Sequence, residues 1–132
     1  MAKRRDDGGG AATTARLLIF SGRPDPQWSV GGGELSELLG LVKGVLGREE
    51  SNRPPQGGLG YRGFLVSQLP VDERPTDIEV FRGVVTEKAG PRTRHWRDTG
   101  GIERWLLRQA RSRGHGATLD SEGVNEAPEG RS

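Results

Sequence analysis

Residues 21–28, Ser-Gly-Arg-Pro-Asp-Pro-Gln-Trp, follow directly on the apolar run Leu17-Leu18-Ile19-Phe20 and constrain the fold more than any other stretch. Pro24 and Pro26 fix their own φ and push Arg23 and Asp25 out of the helical region. The chain therefore leaves a first strand at residues 16–20 through a stiff, extended loop. Arg23, Asp25 and Trp28 set a bidentate donor, an acceptor and a flat ring on that loop. Those residue types grip a polar ligand or a protein partner, and they equally tie a loop to its own scaffold. Loops carry function more often than the scaffold beneath them, and this one leads from the carboxyl end of a strand toward a helix N-terminus.

That helix is the clearest element. Leu35, Leu38, Leu39, Val42, Val45 and Leu46 fall on one stripe of 3.6-residue period. Gly31 at the N-cap puts Glu34 at N3, where it reaches back to a free backbone N–H, and Gly47 ends the helix. Apolar residues at successive positions of 16–20 suggest a strand covered on both faces, or central in its sheet. A Gly/Pro-rich loop over 47–60 precedes a second strand at 60–69 and a turn region at 70–75. Ile78, Val80 and Val84 mark a third strand, with a bulge near Gly83. Lys88-Ala89-Gly90-Pro91 has hairpin chemistry, and its return strand over 92–98 turns Trp96 inward. A last helix over 100–111, capped by Asp98 or Thr99, presents Ile102, Trp105, Leu106, Gln109 and Ala110 as its inner stripe.

The order β-α-β-β-β-α with short links predicts an α+β domain, a small antiparallel sheet with two helices on one face. Composition limits its extent. Only 31% of the 132 residues are hydrophobic and 22 are glycine, so part of the length cannot join a packed core. The expectation is one domain at 15–112 between disordered tails at 1–14 and 113–132. The absence of cysteine excludes disulfides, thiolate catalysis and cysteine-ligated metals. No apolar run reaches the roughly 18 residues of a membrane span. A soluble, intracellular, cytoplasmic protein with no membrane partner and no cofactor is expected.

Three motifs, Ser21-Gly22-Arg23-Pro24-x-Pro26-x-Trp28, Leu59-Gly60-Tyr61-Arg62-Gly63 and Ile102-Glu103-x-Trp105-Leu106-Leu107, resemble those of a family of small proteins with no known activity. The family often carries Asn where this chain has Asp25. The resemblance spans roughly residues 16–110 and implies only that the three motifs belong to one domain.

The 21–28 loop is the first candidate site, with Arg23 as charged donor, Trp28 as anchor, Asp25 between them, and Tyr61 and Arg62 as neighbours on the same surface. Gly58 to Gly63 match the spacing G-x-G-x-x-G, but they follow a loop and open a strand, the wrong context for a dinucleotide fingerprint. Gly31-Gly32-Gly33 precede a helix whose first turn already holds Glu34 and Glu37, which would repel a phosphate. With His95 and His115 the only histidines, no metal set is expected. Ser21, His95 and Asp98 give a small hydrolase as a third reading, with His95 as base.

The second reading is a nucleic-acid-binding module. From residue 88 to residue 113 eight basic residues face two acids, which leaves that segment at +6 and the rest of the chain at −4. Arg92 and Arg94 precede Trp96, and Arg104, Arg108 and Arg111 share one helix face, a pattern that neutralises phosphates and stacks on bases. The preferred reading remains a non-catalytic binding or accessory domain that grips a polar ligand or protein partner through the 21–28 loop.

Overall fold

Among the described residues, six strands form one antiparallel sheet. The structure, a computed structural model, describes residues 12–19, 24–51, 61–121 and 124. In chain order the strands are β1 (Thr14–Leu17), β2 (Gln27–Ser29), β3 (Phe64–Val71), β4 (Arg74–Phe81), β5 (Val84–Ala89) and β6 (Arg92–Arg97). Their spatial order is β2-β1-β3-β4-β5-β6. Helix α1 (Gly32–Lys43) lies between β2 and β3, and α2 (Ile102–Ala110) follows β6. This is the α+β class that the alternation of elements predicts.

Register decides which residues meet. Directly opposed residues of an antiparallel pair share a face. Ala15 stands opposite both Trp28 and Val66, and Val66 opposite Ile78. Leu17, Phe64, Val80, Val85 and Trp96 make the next row on the same face. Leu38, Val42, Ile102 and Leu106 of the helices complete the buried cluster over these rows. The opposite face carries the row Gln27, Arg16, Leu65, Glu79, Thr86, His95, which is mostly polar, as expected where helices cover one face only.

Within residues 12–112 the structure differs from the sequence reading in several places. The first strand ends at Leu17, lies second from the sheet edge, and buries Ala15 and Leu17 while exposing Arg16. It has one covered face, and the continuous apolar run misled because Leu18 and Ile19 have already left the strand. Trp28 belongs to a strand and not to the stiff loop expected over 21–28; Pro24 and Pro26 precede that strand, and Pro26 joins its bonding through a carbonyl that accepts Leu17 N–H at 2.9 Å. The expected turn at 70–75 shrinks to Asp72-Glu73, and Gly83 sits in the second tight turn, Arg82-Gly83; all four residues have positive φ. The bulge lies instead at Ser67-Gln68, two residues opposite Asp77 alone, where Gln68 N–H donates to Asp77 Oδ1 at 3.0 Å. It moves the buried set from Phe64 and Val66 to Leu69. Finally, α1 starts from Gly31 as expected but ends at Lys43, and Glu34 makes no cap bond.

The chain does not leave the fold at residue 112. A wide turn (Arg111–His115) with Gly114 at φ 95° leads into α3 (Gly116–Ser121), whose Leu119 is fully buried. Arg111 holds this return, donating to Asp120 Oδ1 at 3.1 Å and to the Val124 carbonyl at 2.9 Å. Residues 113–121 therefore belong to the domain.

Candidate functional site

Of the loop residues expected to bind, Ser21, Gly22 and Arg23 lie outside the described residues. Asp25 Oδ1 accepts Ile19 N–H at 3.1 Å and so closes the connection between β1 and β2. Trp28 is 9% exposed, edge-on to Phe64 and stacked on His115 with ring centroids 5.7 Å apart. It is a core residue. Its Nε1 is buried with no acceptor among the described residues. Beside the loop a cleft of about 500 Å³ is lined by Arg16, Pro24, Asp25 and Gln27, and Arg16 spends both Nε and Nη2 on Gln27 Oε1 at 3.3 Å.

Tyr61 and Arg62 sit at the entrance to β3. Arg62 N–H donates to the Leu18 carbonyl at 2.7 Å, while the Tyr61 ring packs edge-on to Phe64 and Phe81. Tyr61 Oη donates to Glu103 Oε2 at 2.6 Å, and Gly83 N–H to Glu103 Oε1 at 3.3 Å. Burial raises the Glu103 pKa above the ordinary carboxylate value, and burial together with the Glu103 charge raises that of Tyr61. The sequence reading missed this pair because residues 61 and 103 meet only in the folded chain. A folded pKa above the unfolded one stabilises the domain fully at low pH, and that contribution is lost as pH rises through the folded Glu103 pKa. In urea titrations across this range, wild-type stability is therefore expected to fall relative to Glu103→Gln as pH rises from about 4. A pH-independent difference between the two would contradict a buried, protonatable Glu103.

The other predicted sets separate. His95 Nδ1 is 2.9 Å from Thr86 Oγ1 on the uncovered face, whereas Asp98 spends Oδ1 and Oδ2 on Ile102 N–H (2.8 Å) and Glu103 N–H (2.9 Å) as the cap of α2. No base and orienter form from them. Trp96 is 4% exposed and donates Nε1 to Glu87 Oε1 at 2.8 Å, so its ring is not open to a base. Arg94 stacks on that ring at 4.5 Å and pairs with Glu50 at 3.0 Å. Arg111 is committed to the C-terminal turn, while Arg104 and Arg108 are exposed on α2. No group of metal-ligating side chains occurs among the described residues.

What the fold does assemble is a groove between α1 and α2. Two contacts tie the helices together, Trp105 Nε1 to Glu37 Oε1 (3.1 Å) and Gln109 Nε2 to Glu34 Oε2 (3.3 Å), and a third ties the turn after α2 to α1, Arg113 Nη2 to Glu34 Oε1 (2.6 Å). Beside them lies a space of about 650 Å³ lined by Ser36, Glu37, Gly40, Leu41, Trp105, Arg108, Gln109 and Ser112. Its volume falls within the usual range of ligand clefts. Gly40 keeps it open, since a Cβ built there meets nothing within 4 Å. Glu37 and Gln109 are occupied by the helix ties, while Arg108 has no ion pair among the described residues. The lining offers an apolar surface from Leu41 and Trp105, the exposed Arg108 cation, and the Glu37 carboxylate bonded to Trp105.

Comparison with protein-family models, curated proteins and solved structures returns no match.

Proposed function

We propose that this is a non-catalytic protein-interaction domain that receives an acidic segment of a partner protein in the groove between α1 and α2. The observation that carries the reading is the groove itself. Leu41 and Trp105 supply its apolar contact, and Arg108 is an exposed guanidinium with no ion pair among the described residues. An apolar anchor flanked by Asp or Glu complements both features. Arginine and tryptophan are also the residue types that dominate interface energetics. The +6 charge of the segment that contains α2 favours an acidic over a basic partner and speeds its encounter.

Gly40→Leu provides the test. It fills the groove at a position with ordinary backbone angles and open space, so the variant gains helix propensity and is expected to be as stable as wild type or more so, by about 0.5–1 kcal/mol. Selection from a displayed random peptide library should enrich acidic peptides with an apolar anchor. Those peptides should bind Gly40→Leu and Arg108→Glu at least about tenfold more weakly. Enrichment of no acidic consensus, or peptides that bind both variants as well as wild type, would overturn the reading.

A further inference from the structure

A second pocket lies on the helix side of the sheet, at the end where β4 starts, β5 ends and β6 starts. It encloses about 260 Å³ and is lined by Arg74, Glu87, Ala89, Arg92 and Arg94. Register explains why these five meet. Ala89 stands opposite Arg92 and Glu87 opposite Arg94, so all four share the face that carries Val85 and Trp96 further along the sheet. Arg74 lies two residues before Thr76 on β4, on the same face. With only a methyl group at Ala89 on the strand between, guanidinium groups from β4 and β6 approach a common space.

Arg74 and Arg92, placed beside Arg94 and Glu87, form an arrangement that a stability role does not explain. Like charges brought together across strands destabilise a sheet. Neither Arg74 nor Arg92 has an ion pair among the described residues. The other two polar groups are already fixed: Glu87 Oε1 accepts Trp96 Nε1 at 2.8 Å, and Arg94 is held between the Trp96 ring and Glu50. Along the outer edge of β6, residues 49–51 bond the 95–97 stretch, through Ser51 N–H to the His95 carbonyl at 3.0 Å and Arg97 N–H to the Glu49 carbonyl at 2.7 Å, which places Glu50 beside Arg94. One positioned arginine, Arg94, and two exposed ones, Arg74 and Arg92, therefore line a common space of about 260 Å³.

We propose that the pocket formed by Arg74, Arg92 and Arg94 binds a phosphomonoester dianion. Guanidinium forks match phosphate oxygens in pairs, and a phosphate group offers Arg74 and Arg92, the two lining cations without an ion pair among the described residues, more acceptor oxygens than a single carboxylate does. The volume accommodates a phosphate with a small organic group. This site is separate from the α1–α2 groove, so each stands or falls without the other.

The probe is inorganic phosphate, titrated at constant ionic strength into the full chain while the arginine Nε–H resonances are followed by NMR, with chloride as control. Saturable shifts of Arg74, Arg92 and Arg94 are expected with phosphate, and affinity about tenfold or more lower in the double variant Arg74→Gln/Arg92→Gln. Both positions are exposed, and an unchanged amide spectrum verifies that the variant folds. Glycerol phosphate and a phosphoserine peptide then distinguish a small metabolite from a modified side chain as the source of the same group. Shifts that are linear in phosphate, equal with chloride, or unaltered by the double variant would overturn the site. So would saturable binding of a short RNA with none of phosphate, which would return these arginines to nucleic-acid recognition.

Discussion

Gly63→Ala is expected to destabilise the domain by about 4 kcal/mol, combining the strain of a left-handed non-glycine residue with overpacking. Gly63 has φ +88°, and the added Cβ would collide with the Val80 carbonyl oxygen and lie 2.8 Å from Phe81 Cβ. Neither neighbour yields cheaply. Val80 is paired with Phe64 in the ladder between β3 and β4, and Phe81 is packed against Tyr61. Gly63 also supplies the carbonyl that accepts Leu18 N–H at 2.9 Å, which binds the chain leaving β1 to the entrance of β3. Gly83→Ala is the control. It shares the positive φ, at +82°, but its Cβ meets nothing within 4 Å, so only the conformational cost of about 1 kcal/mol applies. Urea unfolding of the two variants separates clash from backbone strain. Equal losses would show that close packing at Gly63 is not what holds this corner.

The second large effect is placed where the sequence gives least reason to expect one. Leu119→Ala should cost about 3 kcal/mol, because a fully buried leucine loses its transfer free energy and leaves a cavity. A chain ending at residue 112 should lose more, since it also removes His115 from the Trp28 ring. Its tryptophan emission should then shift to the red as Trp28 gains solvent. An unchanged unfolding midpoint in either form would mean that α3 contributes nothing to the core.

Much of the framework was legible because periodicity reports burial. The Leu35, Leu38 and Val42 stripe, the Asp98 cap, the Gly90-Pro91 hairpin and the inward Trp96 all follow from local chemistry. Residues 113–121 were not legible, since Leu119 is their only large apolar residue and the return depends on Gly114 at φ 95°. The hairpin turns at Asp72-Glu73 and Arg82-Gly83 place non-glycine residues at positive φ, against the preference that turn rules use. The bulge at Ser67-Gln68 did leave a signal: the apolar alternation changes parity between Val66 and Leu69.

The sites were less legible than the fold. Trp28 and Asp25 were singled out as binding residues on residue type alone, and type does not say whether a ring is buried or a carboxylate is spent on the backbone. The groove depends on Trp105 meeting Glu37, a pair 68 residues apart. Gly40 was visible, but its meaning lay in α2 passing beside it. Arg108 was marked for charge, and only packing shows that Arg111 is committed while Arg108 is not.

The most direct measurement is an amide NMR titration of the full chain with a selected acidic peptide. Shifts centred on Ser36, Gly40, Leu41, Arg108 and Ser112, absent in Gly40→Leu, are the expected result. Shifts centred on Asp25, Gln27 and Tyr61 with those groove amides unmoved would contradict the account and return recognition to the loop between β1 and β2.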